Sequence, residues 1–388
     1  MRYRFKNGYV LVDDAPLGEG ASFVSYRGIL FNDTFSEGKN VILKEYAPTK
    51  SFNQKYETSD RIERLENTTD EEIVCKEILP ANKEKFLRQF QNLNAILSNV
   101  KELQKNKAIR DDIVDCYDED IQLFDEALKP VTSLDVYDPA SVSKVKYYRG
   151  LSIYYDDDFT PDGVLRDIFG IEDVLRILTE ISMIIKRLHT EGFLHRDIKI
   201  NNFLYKKKSD SFTVKMFDTD SIVFANKVSG ICTSAPYSPS EAYRGEYYPQ
   251  TDIYMLGATL FMMLLGEDSK KFIRLSYDDI SGEQYRYICY EDLFSESNID
   301  ILIDKYQCTE GFLKRLRKIF SKSLANAYRD RYNCVDGFIE DLKILLDIYN
   351  HKGVHPEVIL NSANEMAESP DFLKEYDENL LCEVEEVN

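Results

Sequence analysis

Positive charge is scarce in this 388-residue chain: 49 Lys and Arg stand against 68 Asp and Glu, a formal net charge of −19. A general nucleic-acid or anionic-membrane surface is disfavoured by that balance, which leaves room only for a local basic groove. Paired cysteines are also missing. The seven present (Cys75, Cys116, Cys232, Cys289, Cys308, Cys334, Cys382) are scattered, with no C-x-x-C. An odd number at irregular spacing reads as free thiols in a reducing cytosol, not as a disulfide framework or a zinc site. Long apolar runs are lacking too. The longest, Met255 to Leu265, is too short to cross a bilayer and predicts a buried helix. No apolar run follows the opening Met1-Arg-Tyr-Arg-Phe-Lys6, so no secretory signal is expected. The expectation is a cytoplasmic protein with no membrane span and no nucleic-acid partner.

What the chain does contain is concentrated in Phe193-Leu-His-Arg-Asp-Ile-Lys-Ile-Asn-Asn-Phe-Leu204. Asp197 is followed by Lys199 two residues on and Asn202 five residues on. Phosphoryl transfer needs a carboxylate near the incoming hydroxyl, a cation near the moving phosphate and an oxygen ligand for magnesium. These three residues supply those groups in that order on one short loop. Upstream, Gly18 and Gly20 lie between two apparent strands, a hairpin whose backbone can come close to phosphates. Next comes Asn40-Val-Ile-Leu-Lys-Glu-Tyr46, an apolar strand carrying Lys44, and a lysine in a buried strand is costly unless paired. Downstream, Ser211–Phe217 reads as a strand ending at Asp218-Thr219-Asp220. Between them, Val174, Leu175, Leu178, Ile181, Ile185 and Leu188 recur at helical spacing and predict an amphipathic helix over 171–191.

In order and spacing these segments resemble the eukaryotic-type serine/threonine protein kinases, soluble bacterial members included. The loop at His195 matches H-R-D-x-K-x-x-N. Gly18, Gly20 and Val24 fall in the glycine-rich loop, although Phe23 stands at its third glycine. Lys44 matches the third-strand lysine and Asp218 the aspartate of D-F-G. Tyr237, Pro239 and Glu241 match the end of the activation segment, Asp252 and Gly257 match D-x-x-x-x-G, and Arg331 matches the arginine that pairs with Glu241. The resemblance covers Tyr9 to Tyr349 and implies an α+β, two-lobed fold. Residues 1–155 would form a β-rich small lobe with insertions at about 47–80 and 98–130. Residues 156–350 would form a helical large lobe, and 351–388 an acidic tail of net charge −8.

The resemblance also implies a reaction: transfer of the ATP γ-phosphate to Ser or Thr of a protein. Asp197 and Lys199 would be catalytic. Gly18, Gly20, Val24, Lys44, Asn202 and Asp218 would hold the nucleotide, and Asn202 and Asp218 would bind Mg²⁺. Lys199 speaks against a small-molecule kinase. Three departures sit where kinases control assembly of the active state. Gln89 replaces the glutamate that the mobile helix offers to the strand lysine, Thr219 replaces the aromatic residue of D-F-G, and Asp220 replaces its glycine. Together with Phe23 they keep a rival reading open, a non-catalytic nucleotide-binding or scaffold module. Asp220 is expected to face solvent or cap backbone, so that Asp220→Gly would preserve turnover.

Overall fold

The computed structural model describes residues 2–5, 8–12, 18–19, 23–46, 63–64, 75–76, 98–99, 101–114, 116–124, 131, 138–142, 144, 147–155, 170–208, 211–227, 231–278, 280 and 282–351. Several expectations fall outside them: Gly20, Gln89, most of the first insertion and nearly all of the acidic tail. The chain divides into two compact units. The first comprises 1–161, 202–206 and 214–222; the second comprises 162–201, 207–213 and 223–388.

A seven-stranded sheet dominates the first unit. Its strands are β1 (Arg2–Phe5), β2 (Gly8–Val12), β3 (Gly18–Glu19), β4 (Phe23–Asn32), β5 (Lys39–Tyr46), β8 (Cys116–Phe124) and β9 (Tyr147–Tyr155). They run in the order β1-β2-β4-β5-β9-β8, with β3 paired to β4. Two further short strands, β6 (Glu63–Arg64) and β7 (Cys75–Lys76), pair with each other, and a short helix α1 spans Pro139–Val142. β5 is interior, with Lys44 opposite Ser25 on one side and Ser152 on the other. Val41, Ile42, Leu43 and Lys44 are all buried, the signature of a strand covered on both faces. Gly38, at φ 90°, turns the chain from β4 into β5, a backbone region open to glycine at little cost.

One assignment changes here. The segment 116–124, placed above inside the insertion at about 98–130, is strand β8, paired with β9 from Cys116 to Phe124 with a register shift between Cys116 and Asp118. Its acidic residues Asp118, Glu119 and Asp120 masked a strand pattern, because an outer strand tolerates polar side chains that an interior one rejects. The loop strand β12 (Phe212–Met216) pairs with β11 (Phe203–Lys207). Within the first unit, Val114 donates its N–H to the Met216 carbonyl at 3.0 Å.

Helices build the second unit. α2 (Ile171–Thr190) buries the face predicted from its spacing, with Ile177 and Ile184 added. Glu172 and Asp173 in its first turn and Arg187 and His189 in its last suit the helix dipole, and the chain leaves through Gly192 at φ 76°. A short helix α3 (Ser240–Tyr243) precedes α4 (Pro249–Leu265). The latter contains the longest apolar run and is buried nearly all round, as a helix without a polar face must be. α5 (Asp300–Tyr306), α6 (Glu310–Ser323) and α7 (Val335–Asn350) follow. α2 packs on α4 and α7, and α6 on α4 and α7. Gly257 marks the α4–α6 contact: a Cβ there would stand 2.2 Å from Ser323 Oγ. Small antiparallel pairs complete the unit, β10 (Phe193–Leu194) with β13 (Val223–Phe224) and β14 (Ile273–Tyr277) with β15 (Gln284–Ile288). Among the described residues, no helix is long and apolar enough to cross a membrane.

Candidate functional site

In the first unit the site is built around Lys44. Its ammonium lies 3.0 Å from Asp218 Oδ1 and 2.7 Å from Asp220 Oδ2, and 5.5 Å from the centroid of the Phe217 ring. Burial alone would depress the lysine's pKa, but the charges of Asp218 and Asp220 and their hydrogen bonds outweigh it, raising the value well above normal. Asp220 is pushed up to about 7, first by burial and then by Asp218 beside it, with Lys44 pulling the other way. Two carboxylates sharing one buried ammonium oppose each other's ionisation.

Asp220 therefore neither faces solvent nor caps backbone. Asp218 and Asp220 instead converge on one lysine, Asp220 from the turn closed by the Ile222 N–H. Thr219 between them is fully buried, and its carbonyl accepts the Ile222 N–H at 3.1 Å. Upstream, the Asn202 carbonyl accepts N–H bonds from Phe217 at 2.9 Å and Asp218 at 3.4 Å. Asn202 is buried. Phe217 packs on Val114 and Leu204, so an aromatic residue precedes Asp218 although none follows it. Gly18 pairs with Ser25 and Glu19 with Val24 in the β3–β4 ladder.

Asp218 and Asn202 carry the oxygen donors that suit a hard divalent cation such as Mg²⁺. Among the described residues, no group of three or more His, Cys, Asp or Glu gathers in a way that could hold a metal. A metal at Asp218 would thus complete its shell elsewhere, as Mg²⁺ does with one or two carboxylates and substrate phosphates.

Within the second unit, Lys199 Nζ is 2.8 Å from Asp197 Oδ2 and 3.0 Å from Ser234 Oγ. Ser234 is a site residue that motif reading passed over. It lies three residues before Tyr237, and its own N–H is held by the buried Ser238 hydroxyl at 2.9 Å. The loop carrying Asp197 is braced from α4. Asp252 accepts the N–H of His195 at 2.9 Å and of Arg196 at 2.8 Å, with His189 Nε2 at 2.8 Å. To present both N–H groups to one carboxylate, Arg196 adopts φ 67°, a left-handed conformation costing about 1–2 kcal/mol in a non-glycine residue. Thr259 Oγ1 adds a bond to the Ile198 carbonyl at 3.3 Å.

Tyr247 ties this loop to the segment around Cys232. Its hydroxyl accepts the Cys232 N–H at 2.6 Å and donates to the Cys232 carbonyl at 2.7 Å, while its ring lies 5.2 Å from the Arg196 guanidinium. Farther along, Arg331 and Glu241 form a bidentate buried pair at 2.5 and 3.2 Å. Thr251 donates to Glu241 as well, at 3.0 Å. Glu241 is thus satisfied from two sides, as a buried carboxylate must be.

Comparison with known proteins finds its match in the region 158–334. Residues 158–334 match the family model described as protein kinase domain. Calcium-dependent protein kinase 21 of Oryza sativa subsp. japonica is 29% identical over 106 residues, 26% of this chain and 19% of that protein. Calcium-dependent protein kinase 27 of Arabidopsis thaliana is 29% identical over 133 residues, 34% of this chain and 27% of that protein. Calcium-dependent protein kinase 34 of Arabidopsis thaliana is 34% identical over 93 residues, 23% and 18% of the two chains. The matched stretches therefore span between 18% and 27% of the length of these relatives. Together the matches support a protein kinase reading of the chain, carried by residues 158–334.

Proposed function

We propose that this protein transfers the γ-phosphate of ATP to Ser or Thr hydroxyls of a protein substrate. The observation that carries the reading is the Asp197–Lys199–Ser234 cluster on a backbone held at two consecutive N–H groups by Asp252. A carboxylate that aims an incoming hydroxyl must be fixed to within a fraction of an ångström to be effective, and this loop is fixed from both its peptide bonds and its side chains. Asp197 orients the hydroxyl and takes its proton. Lys199 offsets charge on the transferring phosphate. Lys44, with Gly18, Gly20 and Val24, holds the nucleotide, and Asn202 and Asp218 hold Mg²⁺. When bound, Mg²⁺ neutralises phosphate charge and orients the phosphoryl group. The family match over 158–334 and the serine/threonine-type Lys199 support the protein-directed reaction over a small-molecule one.

The test is incubation of the full chain with γ-labelled ATP, Mg²⁺ and a generic Ser/Thr protein substrate, beside Asp197→Asn. Label is expected on the substrate with wild type. The variant should lose transfer by at least about a thousandfold while keeping ATP affinity within a few-fold, because an orienting base contributes to the transition state rather than to nucleotide binding. Transfer by Asp197→Asn near the wild-type rate would remove Asp197 from the mechanism.

A further inference from the structure

We infer that Asp220 is a positioning residue: it holds the Lys44 ammonium in place, so that a divalent cation can draw Asp218 away from the lysine without leaving the lysine uncompensated. The inference rests on the nucleotide-binding reading above and names a residue that reading leaves without a task. Lys44 touches two acids that differ in distance and in exposure. Asp220 is the closer, at 2.7 Å, and only 19% of its side chain is exposed, whereas Asp218 stands at 3.0 Å and is 35% exposed. A cation arriving from solvent therefore meets Asp218 first.

Charge counting leads to the same division of labour. One carboxylate is enough to offset the lysine, and the second is surplus. When a cation takes Asp218, the buried ammonium loses that carboxylate, and a buried charge left less well compensated opposes the exchange. Asp220 removes that competition, because the lysine keeps a carboxylate throughout. The two acids cannot trade places freely. Asp218 is tethered on its N-terminal side by the Asn202 carbonyl, and the turn that carries Asp220 is closed by the Ile222 N–H bond to Thr219. The buried Thr219 holds the peptide between them, so each carboxylate has a fixed approach to the lysine.

The experiment is a Mg²⁺ titration of thermal stability at fixed ATP, using the full chain. It compares wild type, Asp220→Asn, Asp220→Glu, Lys44→Met and the Lys44→Met/Asp220→Asn double variant. Melting without nucleotide reports whether each variant is folded. Asp220→Asn is expected to raise the half-saturating Mg²⁺ concentration about tenfold, equivalent to about 1.4 kcal/mol, while Asp220→Glu, which keeps the charge, stays within about threefold. In the Lys44→Met background Asp220→Asn should produce no further rise, since a residue acting through the lysine has nothing left to act on.

An unchanged half-point in Asp220→Asn overturns the inference, as does an equal loss in Asp220→Asn and Asp220→Glu. A full tenfold rise that persists without Lys44 overturns it too, and makes Asp220 a direct metal ligand. If Lys44→Met does not fold, the comparison of Asp220→Asn with Asp220→Glu decides alone. Wild type that shows no Mg²⁺-dependent shift with ATP overturns the nucleotide-binding reading and this inference together, a result distinct from the other three.

Discussion

Asp252 braces the loop that carries Asp197. It binds two successive backbone N–H groups and His189 from a fully buried position. Burial opposes its ionisation, yet the His189 bond and charge, the charge of His195 and the loop N–H bonds prevail and hold its pKa below the ordinary 3.8. A depressed carboxylate contributes stability that is complete above its unfolded value and is lost as pH falls through the lower folded one. Asp252→Asn should therefore flatten part of the acid limb of a stability-versus-pH curve. It should also lower stability at neutral pH by about 3–5 kcal/mol, the scale for breaking a buried charged set. Denaturant unfolding at several pH values measures both, and an unchanged acid limb would contradict the role. Lys44 makes the complementary point. A lysine in an interior strand predicts a partner, but not which one. The sequence pattern directed attention to position 89, while the structure supplies Asp220 from the loop after β12.

At the scale of elements, the apolar periodicity of α2, the unbroken apolar run of α4 and the strand carrying Lys44 were all legible, since each depends on side chains within one segment. Strand β8 was not. Asp118, Glu119 and Asp120 hide its period, and only its pairing with β9 makes it part of the sheet. The same limit applies to Ser234 and Tyr247, whose contacts with Lys199 and Cys232 join segments that nothing local connects. Gly257 was readable as part of D-x-x-x-x-G, but its cause is a contact between helices: α4 and α6 meet where a Cβ would collide with Ser323. Gly257→Ala is thus expected to destabilise the protein by about 1–3 kcal/mol through overpacking. Ser323→Gly in that background should recover a large part of the loss. A shift in denaturant midpoint reports it, and equal stability of Gly257→Ala and wild type would show that the helices separate at no cost.

Over the whole molecule, the chain pairs an acidic composition, −19 in net charge, with a proposed reaction that handles anionic phosphates, and on that proposal local cations must do what the overall field cannot. Lys44 and Lys199 are two such cations, each held by acids on its own unit. The kinase likeness of 158–334 was legible from motif order, because catalytic chemistry restricts residue type as well as spacing. The departures Thr219 and Asp220 were legible as substitutions but not as structure. Their meaning depends on what Lys44 touches. On this account they mark an enzyme that takes its lysine counter-charge from the loop after β12, not a module that has lost its chemistry. The measurement that tests this most directly is transfer of labelled γ-phosphate across a Mg²⁺ titration, wild type beside Asp218→Asn. The account predicts metal-dependent transfer by wild type and none by the variant at any Mg²⁺ concentration, because replacing the carboxylate removes the metal's charged ligand. Wild type that binds ATP but transfers no label, with Asp218→Asn binding equally well, would contradict it and leave a nucleotide-binding protein without catalysis.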